Sequence, residues 1–168
     1  MRHPALSIAV LLLGTGHPAA AASGSPVPFA SLAQSVSSAV TAFEVAVVRR
    51  QDRWRALWRR HNAHRVPLRA PPAVDFASRQ VLAVFLGSRP DGCHAVVITA
   101  VERMAGRVVV TYQERRPAPD AICSTVITNP AHIVSVPRSP LPVVFQAATP
   151  APSPASWPSR PGGARDRR

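Results

Sequence analysis

No lysine occurs among the 168 residues; all 20 basic positions are arginine. Acids are scarce as well, 8 against those 20, which leaves a formal net charge of +12. Alanine and proline are abundant, so the arginine usage reads as coding bias more than as a choice of guanidinium over ammonium. Net charge by itself therefore names no partner. Cysteine is limited to two residues, with neither C-x-x-C nor H-x-x-x-H spacing, which argues against a structural zinc site. No segment reaches the roughly 18 uncharged apolar residues that a spanning helix needs, which excludes a transmembrane helix. Serine elbows and other hydrolase signatures are missing too.

What is present begins with an address. Arg2 and His3 precede an apolar run, Ala5 to Leu13, followed by Ala19-Ala20-Ala21-Ala22. This order predicts a secretory signal peptide over residues 1–22 and a secreted or periplasmic protein. No cysteine stands after the run to accept a lipid. The remainder suffices for one domain with a real core. Charge is uneven along it: residues 49–69 hold eight Arg and one Asp, while 74–146 hold seven Arg and five acids. An exported basic surface can meet anionic lipid, polysaccharide or an acidic protein face; the compartment argues against nucleic acid.

Residues 23–42 are small, polar and proline-containing, and read as a linker. FEVAVV, from Phe43, alternates as a short strand does. In RRQDRWRALWRRHNAH, Trp54, Leu57, Trp58 and His61 fall at i, i+3, i+4 and i+7, one face of a helix, with Asp52 in its first turn. Arg53 and Arg60 flank that stripe on one side, Arg55 and Arg59 on the other. The loop HRVPLRAPPAV holds three prolines and cannot continue the helix. VLAVFL (81–86) is apolar throughout, as expected of a central strand covered on both faces. HAVVITAVE and RVVVTYQE are joined by the hairpin Arg103–Gly106. The loop RRPAPDAI leads to a further expected strand, CSTVIT. IVSV and LPVVF, bounded by prolines, are expected near sheet edges. The fold class is α+β: one twisted or barrel-like, mostly antiparallel sheet with one helix packed on it, spanning 43–147. Residues 148–168 are a Pro/Arg-rich tail expected to be disordered; nothing in the sequence explains its Trp157.

With those elements in place, one pattern stands out. It runs WRALW, then VDFASRQVLAVFLGSRPDGC, a V-I-x-x-V strand, VVVTYQE, a proline loop, Cys123 and TNPAHIVSVPRSPLPVVF. From residue 43 to about 146 it resembles the C-terminal domain family of PrcB, named for a subunit of a secreted subtilisin-like protease complex. The resemblance implies an exported, non-catalytic, β-rich domain that associates with another protein. It transfers no catalytic set. Many relatives look lipid-anchored, and this chain departs from them by lacking the lipidated cysteine.

An even, minimal cysteine count in an oxidising compartment favours a Cys93–Cys123 disulfide. A zinc site built from Cys93, His94, Cys123 and His132 has suitable ligand types but unsuitable spacing. His61 extends the Trp stripe and reads as a half-buried, hydrogen-bonded ring; His64 lies one turn on. Asp75 reads as a cap for local backbone amides, and Asp91, before Gly92, as turn chemistry. No cofactor is implied. Ser88, Arg89 and Asp91, with Arg115, Arg116, Asp120 and Asn129, stand in the polar loops expected to present a partner-binding surface. The arginines of the helix (Arg53, Arg55, Arg59 and Arg60) form a basic face. Three readings follow: an accessory or stabilising subunit of a secreted protease; a freestanding inhibitor or ligand-binding domain; and an envelope protein whose basic helix and tail contact anionic lipid or polymer.

Overall fold

The computed structural model describes residues 24–148. The expected signal peptide and the tail beyond Ala148, Trp157 included, lie outside the described residues. In chain order the elements are β1 (Ser25–Pro26), β2 (Ala30–Ser35), β3 (Glu44–Val48), α1 (Gln51–His61), β4 (Arg79–Phe85), β5 (Ala95–Met104), β6 (Arg107–Arg115), β7 (Ala131–Pro137) and β8 (Val143–Ala147). They form two four-stranded sheets, β1-β5-β6-β8 and β2-β7-β4-β3. All pairings are antiparallel except β6 with β8.

Strand β4 explains the layering. Its residues alternate between two cores, as the period of an extended chain dictates. Val81, Ala83 and Phe85 join Trp54, Leu57 and Trp58 of α1 and Ile133 of β7. Leu82 and Val84 face the other way, onto Val96, Ile98 and Val101 of β5 and Val108 and Val110 of β6. The molecule is thus three layers deep: sheet, sheet, helix. This corrects the expected single sheet. Four connections (β1 to β2, β4 to β5, β6 to β7 and β7 to β8) cross from one sheet to the other instead of turning back as hairpins. A glycine- or proline-marked turn begins either kind of connection, so local sequence does not separate them.

Three further differences have physical causes. The stretch read as a linker supplies β1 and β2. ASLAQS lacks an alternating pattern because β2 is an edge strand that adds only Leu32 and Ala33, partly buried, to the helix-side core; backbone pairing to β7 holds it. CSTVIT is not a strand but part of the crossing loop. IVSV lies in β7, between β2 and β4, not at an edge; its proline, Pro137, sits at the strand's last residue, where a missing N–H does little harm. The hairpin forms as read, with Gly106 at φ +75°. At Gly87, also φ +75°, a Cβ would meet the backbone of Thr41, Ala42 and Phe43 at 2.8 Å, so only glycine leaves β4 this way.

The helix buries Trp54, Leu57, Trp58 and His61. Each indole N–H finds a carbonyl in the proline loop: Trp54 Nε1 donates to Pro72 O at 3.0 Å and Trp58 Nε1 to Arg69 O at 2.8 Å. The loop is thereby fastened to the helix. His61, buried more fully than expected, lies 5.8 Å from the Trp58 ring and 5.9 Å from Phe85, with Nδ1 2.9 Å from Ser38 Oγ. Burial, aided by the charges of Arg65 and His64, lowers its pKa to about 4. Asp75 accepts the Ala77 N–H at 3.0 Å and the Ser78 hydroxyl at 2.6 Å, which holds its carboxyl below the usual range.

His132 joins the two sheets. Its Nδ1 accepts the Ile98 N–H at 2.8 Å, which places the neutral ring's proton on Nε2, 3.0 Å from Ser31 Oγ. Burial lowers its pKa as well.

Two predictions follow from this packing. Trp54→Ala should cost about 3–5 kcal/mol in urea unfolding, the range for losing a large aromatic from a core. Trp58→Phe, which keeps bulk but leaves the Arg69 carbonyl without its donor, should cost about 1–2 kcal/mol. Both core histidines favour the neutral form, so the unfolded chain binds protons that the folded chain refuses. Stability should therefore be fully present above about pH 6.5 and decline on acidification toward the folded pKa of about 4. His61→Gln should flatten that decline in pH-dependent thermal unfolding; an unchanged acid limb would assign it to other groups.

Candidate functional site

Two of the sheet-crossing loops, β4 to β5 and β6 to β7, meet at one end of the sandwich. The first, 86–94, leaves β4; the second, 116–130, leaves β6. They pair through an Arg89–Thr128 antiparallel bridge, a Gly92 N–H to Ser124 O bond of 3.0 Å, and a Thr128 hydroxyl donating to Asp91 O at 2.7 Å. Cys93 and Cys123 are joined in a disulfide with Cα atoms 5.6 Å apart, 30 residues distant in sequence. Asp91 stands beside them and accepts the Cys93 N–H at 2.9 Å. With both sulfurs bonded to each other, neither is a thiolate for a metal or a nucleophile. His132 belongs to the inter-sheet core, so the four ligands weighed for zinc do not form one site.

Beneath the loops lies a charged cluster. Arg89, half-buried, donates through Nε to Glu114 Oε1 at 2.7 Å and through Nη1 to the carbonyls of Leu86 and Ser88. Glu114 also lies 3.2 Å from His94 Nδ1 and 3.3 Å from Arg116 Nη2. His94 Nε2 stands 3.6 Å from Asp91. The Arg89 hydrogen bond is the main reason the Glu114 carboxyl sits below its ordinary range, against the opposing pull of burial. Ser88 donates to Asn129 Oδ1 at 2.9 Å, linking the two loops again. Arg89 thus orients the first loop from inside while also lining the groove beside Arg115 and Arg116. Arg115 and Arg116 are exposed on a groove of about 790 Å³ that also takes in Phe43, Tyr112 and Ala147. Asp120 is exposed and makes no ion pair among the described residues.

The structure adds residues that sequence reasoning passed over. Ile122 is fully exposed, Val126 is 61 % exposed and Ile127 is 70 % exposed. All three lie on the second loop, around Cys123. Reading CSTVIT as a strand assigned its aliphatics to the core. No local signal in the sequence separates these aliphatics from those of a buried strand. Three large aliphatic side chains on a covalently held loop form a surface of the kind that protein contacts cover.

The basic helix divides. Arg60 is paired with Glu44, and Arg53 lies on that same flank. Arg55 and Arg59 lie on the opposite flank.

The disulfide should stabilise the domain by about 3–4 kcal/mol in the loop-entropy model, given the separation of its ends. The Cys93→Ser/Cys123→Ser variant should unfold at correspondingly lower urea. Proteolysis should then begin in 116–128, and cleavage elsewhere would show that the loop is held by its hydrogen bonds alone.

No curated protein and no solved structure gives a significant match to the chain. A family model described as PrcB C-terminal matches residues 80–137. That segment runs from β4 through both stapled loops to the end of β7, so it contains the two-faced strand, the disulfide and the charged cluster. Over residues 80–137 the chain is therefore similar to the PrcB C-terminal family, a shorter span than the 43–146 over which the sequence pattern suggested the resemblance.

Proposed function

We propose that this protein is an exported, non-catalytic binding module that acts as an accessory or stabilising subunit of another exported protein, of which a secreted subtilisin-like protease is the leading candidate. The observation that carries the reading is the exposure of Ile122, Val126 and Ile127 on a loop fixed by the Cys93–Cys123 disulfide. A loop held on a rigid sheet loses little conformational freedom on binding, so its apolar area contributes to affinity with a small ordering cost. The disulfide fits an oxidising compartment, and no helix among the described residues is long and apolar enough to cross a membrane. The titratable groups beneath the loop are engaged with one another in a way that supports the loop's shape. The match of residues 80–137 to the PrcB C-terminal family model supports association with a protease complex.

The test compares the protein with Ile122→Asp/Ile127→Asp in affinity capture from the exported fraction of its native cell. Both side chains are exposed, so thermal stability should stay within about 0.5 kcal/mol of the parent, as for surface changes. The parent should retain a secreted protease in stoichiometric amount, and the variant should lose it. Equal recovery by both proteins would move the interface away from this loop.

A further inference from the structure

Along one flank of α1 runs a groove of about 570 Å³, walled on its far side by the proline loop. Arg55 and Arg59, one turn apart, open onto it from the helix, and Arg69 opens onto it from the loop. None of the three has a carboxylate partner among the described residues, and Asp52 at the rim is engaged by Arg50 at 3.0 Å. Like charges at i and i+4 disfavour a helix, and the one acid lining this groove, Asp52, is held by Arg50. Leu68, 45 % exposed, and Pro71 add apolar surface on the loop wall. The walls are fixed in advance, because Trp58 donates to the carbonyl of Arg69 and Trp54 to that of Pro72.

We propose that this groove binds an extended acidic peptide segment with carboxylates at alternate positions and an apolar residue between them. One helical turn separates Arg55 from Arg59 by about 5–6 Å between Cβ atoms. Two residues of extended chain cover about 6.6 Å, and their side chains point the same way. Carboxylates at i and i+2 therefore meet Arg55 and Arg59 in register, each within reach of a forked guanidinium contact. The intervening side chain points to the opposite wall, where Leu68 and Pro71 lie. Arg69 closes over the segment from that wall. A flat membrane surface would meet the outward arginines, Arg53 among them, without engaging both walls at once. The site is separate from the stapled loop and does not depend on what that loop binds.

The probe is a fluorescein-labelled Glu-Leu-Glu-Leu-Glu peptide, titrated by anisotropy at about 0.15 M ionic strength, where exposed charges are screened beyond about 8 Å. Saturable binding should weaken at least about tenfold in Arg55→Glu/Arg59→Glu and in Arg69→Glu, as expected for loss of close charge pairs. Arg53→Glu should bind as the parent does, and so should Ile122→Asp/Ile127→Asp. The double reversal should gain affinity for the corresponding Lys-Leu-Lys-Leu-Lys peptide, a readout that a merely unfolded variant cannot give. Arg55→Gln/Arg59→Gln serves in its place if the reversal lowers the melting temperature. Absence of saturable binding, or equal loss in Arg53→Glu, would overturn the proposal. Binding of phosphatidylglycerol vesicles or of a polyuronate through these three arginines, with the peptide failing, would overturn it as well.

Discussion

Both cores of this protein depend on one strand. Phe85 and Val81 seat the tryptophans of α1, while Leu82 and Val84, one residue out of phase, seat the other sheet. The strand is hydrogen-bonded to β3 on one side and β7 on the other, so its backbone is satisfied without water. Removing a large side chain from either face would leave a cavity in one core and shift the strand that bounds the other. Because packed interiors resist deformation, the helix layer and the outer sheet are mechanically coupled through these four residues, although α1 and β5 lie in different layers.

That coupling places the loops. A strand buried on both faces must end at the rim of the sandwich, and the chain leaving β4 crosses to the other sheet there, through Gly87. The return crossing from β6 to β7 occurs at the same rim. Two adjacent crossings create an end surface that the sheets do not cover, and the disulfide joins them across it. Glu114 and Arg89 lie inside this arrangement, where the ion pair is partly shielded and orients backbone carbonyls. The apolar side chains lie outside it. Polar groups turned inward and aliphatics turned outward reverse the usual order of a soluble loop, and that reversal is the physical basis for reading this end as an interface.

The arginine excess acquires meaning only from placement. Arg49 donates to the Gln80 side chain and the Leu141 carbonyl, and Arg79 to Ser135, so these guanidiniums are parts of the scaffold. Arg60 and Arg89 are neutralised by acids from other elements. Of the α1 arginines without a counter-charge among the described residues, Arg55 and Arg59 share one flank and are faced by Arg69, while Arg53 stands on the other. A charge count treats all of these alike.

Much of the architecture was legible as local pattern. The Trp stripe of α1, the doubly buried β4 and the β5–β6 hairpin each follow from a periodicity or a turn within about a dozen residues, because side-chain direction along a helix or strand is set by backbone geometry. The two cysteines, in a chain whose N-terminus reads as a signal peptide, pointed to their own pairing. Sheet membership was not legible. Whether β5 pairs with β4 or packs across from it depends on which faces remain to be buried once strands distant in sequence have assembled. Nor was β2 legible, since its place rests on backbone bonds to β7 and on Ser31 reaching His132. Ile122, Val126 and Ile127 show the same limit from the other side: an aliphatic residue is apolar wherever it stands, and only the tertiary structure decides whether another surface of the same chain is there to cover it.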